Sequence, residues 1–356
     1  MDTNLVTFPG LGISMSIDRV AFELFGRPVY WYGIIIAIGF ILAAIYAYKR
    51  APQFGIEPDN FLDQLIIAAI LGIICTRAYY VIFNYDLYRG DFASIFRIWD
   101  GGLAIYGGII GGVIAIIIYC KIKKIKVGAM LDLCCLAVLI GQIIGRWGNF
   151  FNKEAHGGAT QSFLRMGIYE NGQYMEVHPT FLYESVWNLI GFVFLHIYSK
   201  KRKRRYDGQL FLMYVAWYGL GRGVIEGLRT DSLMLFGTGL RVSQVLGFAS
   251  FLIAMLVMLY NEIFKHHKPE DMAVYKMEHA EELGKNLEVS EEDAEDIIQN
   301  TIMPDNDEPD EFDDIEDTGQ SDMTEVQDKS DAKQKNAEKK EMEDEVEEKK
   351  DVGNDN

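Results

Sequence analysis

Seven stretches of the chain, residues 31–48, 61–83, 103–119, 127–144, 181–198, 208–224 and 242–263, are predominantly apolar. Each is about as long as a helix must be to cross the ~30 Å hydrocarbon core of a bilayer. That feature leaves few folds open, because in lipid every backbone N–H and C=O must be paired within the protein, and a helix does this inside one segment. The expected architecture is an all-α polytopic membrane protein with seven transmembrane helices, the sixth carrying the weakest signal. The opening Met1-Asp2-Thr3-Asn4 has no basic residue ahead of an apolar run, so no cleaved signal peptide is expected and the first helix directs insertion.

Charge divides the chain at residue 268. Residues 269–356 hold 33 acidic against 9 basic side chains, net −24, whereas residues 1–268 hold 18 against 25, net +7, which together give the chain's −17. The low pI therefore belongs to the tail. Its few aromatics and runs such as Glu291-Glu292-Asp293 offer too little apolar surface to offset ordering entropy. The expected domains are a membrane domain at 1–268 and a disordered acidic cytoplasmic tail at 269–356, with at most transient helix around 273–300.

Basic residues set the orientation. Lys49 and Arg50 follow the first stretch, Lys121, Lys123, Lys124 and Lys126 the third, and a basic run at 200–205 the fifth. These loops are expected in the cytoplasm, with the N-terminus outside and the C-terminus, beyond Lys265 and Lys268, inside. Cys75, Cys120, Cys134 and Cys135 lie in or beside stretches two to four, so neither a disulfide nor a metal site is expected.

In that orientation the polar groups that hydrocarbon tolerates least collect on the outer side. Tyr32 opens the first stretch, Arg77 lies near the end of the second, and Gly101, Gly102 and Tyr106 open the third. Arg146, Asn149 and Glu154 follow the fourth, His178 and Tyr183 precede or start the fifth, and Arg222 and Glu226 close the sixth. Several have an ordinary structural explanation. Arg222 and Glu226 suit an intrahelical pair, enriched by the following Arg229 and Asp231; Arg77 suits snorkelling; Trp31 and Tyr32 suit the interfacial aromatic belt; and His178, before Pro179, suits a loop hydrogen bond. Gly107, Gly108, Gly111 and Gly112 read as a close helix contact.

The segment Gly145-Arg146-Trp147-Gly148-Asn149-Phe150-Phe151-Asn152-Lys153-Glu154-Ala155-His156-Gly157-Gly158 does not reduce to a structural turn. Arginine supplies a planar fork for bidentate phosphate contacts, asparagine supplies amide donors, and a glutamate can hold an arginine in place. Those parts suit a phospholipid headgroup.

This segment, with Arg222-x-x-x-Glu226, Trp31-Tyr32-Gly33, the Gly101-Gly102 turn and His178-Pro179-Thr180-Phe181-Leu182-Tyr183-Glu184, closely resembles the phosphatidylglycerol:prolipoprotein diacylglyceryl transferases of bacterial membranes. The match runs over about residues 8–263 and leaves out the tail. The resemblance implies seven membrane helices, an outward active site, and location in the bacterial cytoplasmic membrane. It implies transfer of diacylglyceryl from phosphatidylglycerol to the lipobox cysteine thiol of a prolipoprotein signal peptide, forming a thioether and releasing glycerol phosphate. No cofactor, metal or nucleic-acid partner is implied. Tyr32, Arg146, Asn149, Glu154, Gly157, Arg222 and Glu226 stand where the family places essential residues, and Arg77, Asn152 and His178 join them as candidate substrate contacts. Where many members have His-Gly-Gly, with the histidine proposed as base, this chain has Tyr106-Gly107-Gly108. A phenol titrates near 10 and an imidazole near 6.5, so the base stays open among Tyr106, Glu154, Tyr32 and His178.

Other classes fit less. A retinal sensor lacks a lysine in the stretch 242–263, a scaffold recruiting partners through the tail leaves the segment 145–158 unexplained, and a lipid or solute transporter with an outward anionic-headgroup site lacks visible paired repeats.

Overall fold

The computed structural model describes residues 4–280, apart from 171, 202–203, 231–233 and 235–238. Most of the expected tail, 281–356, lies outside the described residues, as do Arg202, Lys203 and Asp231, whereas its first part, 269–280, packs on the bundle through Ala273 in place of the expected disorder. Seven long helices are present among the described residues: α1 (Trp31–Arg50), α2 (Pro58–Phe83), α3 (Ile105–Ile122), α4 (Val127–Asn152), α5 (Thr180–Lys200), α6 (Gln209–Ile225) and α7 (Val242–Phe264). A short α8 (Ala273–Glu278) follows. Six of the seven are long and apolar enough to span a membrane. The exception is α6, whose 17 residues reach only about 25 Å at ~1.5 Å per residue.

The bundle is a membrane protein by its inside-out polarity. Ile66, Ile70, Ile73 and Ile74 of α2 and Leu252, Ile253, Leu256 and Leu259 of α7 are more than half exposed, whereas Gln64, Asp132, Glu184 and Asn188 are buried. A water-soluble fold buries the first group and exposes the second. The core centres on α4, whose Met130, Leu133, Leu136 and Leu139 meet Phe54, Phe61, Leu195 and Leu210. Three of the four glycines expected at a close helix contact make one: a Cβ on Gly107 would lie 2.3 Å from the Cys75 carbonyl oxygen, one on Gly108 2.8 Å from Thr76 Oγ1 and one on Gly111 2.8 Å from the Leu71 carbonyl oxygen, whereas Gly112 meets open space.

Two small sheets correct the all-helical expectation. Strands β1 (Leu5–Phe8), β2 (Ile13–Ser16), β5 (Met166–Glu170) and β6 (Gln173–Val177) form an antiparallel sheet in the order β2-β1-β5-β6. Strands β3 (Val20–Leu24) and β4 (Arg27–Tyr30) form a hairpin turning at Phe25 and Gly26, both at positive φ. Val6, Phe8, Met166, Ile168 and Val177 of the larger sheet pack on Phe150 at the end of α4 and Phe181 at the start of α5. The sheet thus clamps two helix ends that carry the polar segment. A second correction concerns that segment: α4 continues to Asn152, so Arg146 and Asn149 sit on its last turns rather than in a loop. Helix stops only at Lys153, which takes a left-handed conformation (φ 55°) and returns its N–H to the Asn149 and Phe150 carbonyls.

Candidate functional site: an arginine–glutamate network at the helix ends

Three helices meet at one carboxylate. Glu184, one turn into α5 and 5% exposed, pairs through Oε2 with Arg146 Nη2 of α4 at 2.6 Å. Its Oε1 lies 3.5 Å from Arg222 Nη1 of α6 and 3.5 Å from Arg229 Nη1 just beyond. Arg222 pairs in turn with Glu226 at 2.6 Å, the intrahelical contact its spacing suggests. Glu226 is 2% exposed and its carbonyl accepts from Arg241 Nη1 at 2.7 Å.

The network continues along α4. Arg146 Nη1 donates to Asn149 Oδ1 at 3.4 Å, and the amides of Asn149 and Asn152 both donate to Glu154 Oε1, at 3.0 and 3.2 Å. Arg146, Asn149, Asn152, Glu154, Arg222 and Glu226, from two separate segments, are therefore joined through Glu184. Guanidinium groups gathered in this way present the kind of donors that a phosphodiester takes.

Packing holds the parts in register. On α6, a Cβ at Gly221 would lie 2.2 Å from Trp187 Nε1 and one at Gly223 2.7 Å from the Phe248 ring, so both neighbours lie against bare backbone flanking Arg222. Trp187 and Trp217 stack at 4.5 Å and exchange indole N–H bonds with each other's carbonyls at 3.0 Å. Gly157 and His178 tie the segment after α4 to the start of α5: Gly157 N–H donates to the His178 carbonyl at 2.8 Å, and Gly158 N–H to that of Leu228 at 2.9 Å. A Cβ on Gly157 would meet His178 Cβ at 2.7 Å. The His178 ring faces the Tyr183 hydroxyl at 3.3 Å.

Tyr32 lies over Gly148, where an added Cβ would come within 2.8 Å of its ring, and lines with Asn152 and Arg19 a groove of about 680 Å³. Two candidates lie outside the network. Arg77, expected at the headgroup, instead closes the α2–α3 connection: its guanidinium donates to the carbonyls of Ile95, Gly101, Gly102 and Ser94 at 2.6–3.0 Å and packs on Tyr88. With its donors so committed it is a structural clamp, a correction to its expected role as a substrate contact. Tyr106 stands 45% exposed on α3 beside Tyr79, ring centres 6.3 Å apart. Glu184 and Arg229 were missed as site residues, although Glu184 ends the His178-to-Glu184 segment. A glutamate in the first turns of an apolar helix, carrying a buried charge, was the available signal.

Fold and site together define a polytopic membrane protein with a cluster of arginine–glutamate pairs at the ends of its helices. A sequence profile described as prolipoprotein diacylglyceryl transferase matches residues 19–260. The chain is 47% identical over 244 residues, 68% of its length, to the phosphatidylglycerol–prolipoprotein diacylglyceryl transferase of Clostridioides difficile (strain 630), covering 95% of that protein. It is 42% identical over 266 residues, 73% of its length, to the protein of that name from Streptococcus equi subsp. zooepidemicus (strain MGCS10565), covering 99% of it. The chain belongs to the prolipoprotein diacylglyceryl transferase family.

Proposed function

We propose that the protein transfers the diacylglyceryl group of phosphatidylglycerol to the lipobox cysteine thiol of prolipoproteins, in the bacterial cytoplasmic membrane. Residues 1–268 form the transferase domain, with all seven long helices spanning, the N-terminus outside, and residues 269–356 following on the cytoplasmic side. The observation that carries this reading is the Glu184-centred cluster, in which Arg146 and Arg222 come from different helices to one point.

In the reaction the thiol sulfur bonds to the glyceryl carbon as the carbon–oxygen bond to phosphate breaks, and the thiol proton leaves to a base or to the released phosphate. A thiol of pKa near 8.5 is a few per cent ionised at neutral pH, so a strong base is not demanded. Charge grows instead on the departing phosphate, and fixed guanidinium donors in a partly buried site stabilise it there. Arg146 and Arg222 take this role, Glu226 and Glu154 orient them directly and through Asn149, and Tyr32, Asn152, Gly157 and His178 shape the substrate groove. Tyr106 is the proposed proton relay or lipid-orienting group from α3.

The test supplies phosphatidylglycerol and a lipobox peptide to the purified protein. The expected product is the peptide heavier by one diacylglyceryl group on cysteine; an unmodified peptide under conditions where the folded protein binds the lipid refutes the reading. Accessibility labelling of a cysteine placed beside Asn149 should occur from outside the cell, and labelling from the cytoplasm alone overturns the orientation.

A further inference from the structure

At the end of the bundle opposite the arginine–glutamate network, the chain turns back after α7. Ala273 N–H donates to Asp207 Oδ2 at 2.8 Å, Tyr206 stacks on His267 with ring centres 4.4 Å apart, and a Cβ on Gly55 would lie 2.2 Å from the Ala273 carbonyl carbon. Between this return and the ends of α5 and α7 is a cavity of about 760 Å³, lined in part by Lys200, Arg204, Arg205, Glu262, Lys265 and His267. Its size falls in the ~300–1,000 Å³ range of small-ligand pockets.

The charges lining it are not equivalent. Arg204 is committed to the buried Asp132 at 3.3 Å and the Gln53 carbonyl at 3.0 Å, with its guanidinium over the Phe54 ring, Arg205 is paired with Glu262, and Glu278 adds a second carboxylate to the lining. Lys200 and Lys265 have no carboxylate partner among the described residues; the Lys265 ammonium has only the Tyr260 ring, 5.9 Å away. Nε2 of His267 is buried without a hydrogen-bond partner. The helix α7, which ends just before Lys265, carries Leu256, Leu259 and Ile263 more than half exposed, an apolar surface rising from the cavity's edge.

We propose that this cavity seats the phosphate of an anionic phospholipid, with Lys200 and Lys265 as its cationic contacts and the acyl chains lying along α7. The apolar surface of α7 selects a lipid over free phosphate. The site is separate from the transfer chemistry, and only its leaflet, the inner one, rests on the orientation proposed above.

The probe is dioleoyl phosphatidic acid, whose phosphate lacks the headgroup glycerol of phosphatidylglycerol, titrated into the full-length detergent-solubilised protein and counted by native mass spectrometry. Near a membrane surface each lysine contributes enough that Lys200→Ala with Lys265→Ala should weaken binding about 30-fold. Each single Lys→Gln variant should lose about fivefold. Lys200→Arg with Lys265→Arg should retain binding, and so should Arg146→Ala, because the transfer site is elsewhere. Transfer from phosphatidylglycerol by the lysine variants should stay at the parent rate. Unchanged lipid binding in the double alanine variant overturns the proposal, as does loss of every bound lipid in Arg146→Ala. Displacement of the lipid by equimolar inorganic phosphate would mark a free-phosphate site and equally overturn it.

Discussion

Glu184→Ala removes the carboxylate that three arginines share, and the geometry says which suffers most. Arg222 keeps Glu226 at 2.6 Å, whereas Arg146 loses its 2.6 Å contact and retains only the 3.4 Å bond to Asn149. Removing one partner of a buried ion pair costs about 3–5 kcal/mol. Here the arginines keep 22%, 20% and 11% of their side-chain exposure, so water takes up part of the loss. A destabilisation of about 1–2 kcal/mol is expected. The rate should fall much further. A donor displaced from developing phosphate charge is worth about 3–4 kcal/mol, or roughly 10²- to 10³-fold, in turnover. Glu184→Gln keeps an acceptor but not the charge, and should lose about tenfold. The assay is single-turnover appearance of diacylglyceryl peptide, with thermal melting in detergent as the control for folding. Because the two residues act as one unit, Glu184→Ala added to Arg146→Ala should cost little more than Arg146→Ala alone. Turnover within threefold of the parent in Glu184→Ala at unchanged melting temperature would refute the reasoning.

Arg146→Ala or Arg222→Ala should abolish transfer while the protein still inserts, and lysine at either place should rescue poorly because a point charge lacks the bidentate fork; near-parental thioether formation by either purified alanine variant counts against the clamp. Gly157→Ala places a methyl 2.7 Å from His178 Cβ and 2.9 Å from the Leu228 carbonyl oxygen, and should cost about 1–3 kcal/mol, read as a lower melting temperature together with lost activity. Tyr106→Phe should lower turnover more than lipid affinity, and an unchanged turnover removes the phenol from proton transfer. Arg77→Ala should leave lipid affinity intact but raise hydrogen exchange across residues 84–104, since four carbonyls lose their common donor.

The helices were readable because bilayer-length apolar runs such as 61–83 have no competing fold, and the polar cluster because arginine and glutamate at helix ends demand partners. The short strands were not. Leu5–Phe8 and Ile13–Ser16 are four residues each, and their alternation is too brief to stand out beside runs of twenty. The dipeptide Asn171-Gly172 between Met166–Glu170 and Gln173–Val177 was a usable hairpin signal. Helical continuation of α4 through Gly145 and Gly148 was hidden because glycine lowers intrinsic helix preference; the Tyr32 ring against Gly148 and the Ile36 side chain against Gly145 explain why a bare backbone is wanted there. Arg77 misled because snorkelling, phosphate binding and carbonyl clamping all use the same guanidinium, and only the path of residues 94–102 decides among them.

The pairing of β1 with β5 also fixes an order of events during synthesis. Thr7 faces Gly167 across the sheet, so the first strand is made 160 positions before its partner, and α1 through α4 are threaded in the interval. Contacts so distant in sequence close late. Until β5 and β6 arrive, Phe150 lacks their cover, and Arg146 waits for Glu184 and then for Arg222. On the role proposed for Arg146 and Arg222, a ribosome stalled anywhere before the sixth helix holds a nascent chain without the complete clamp, and no transfer is expected until biogenesis is nearly complete.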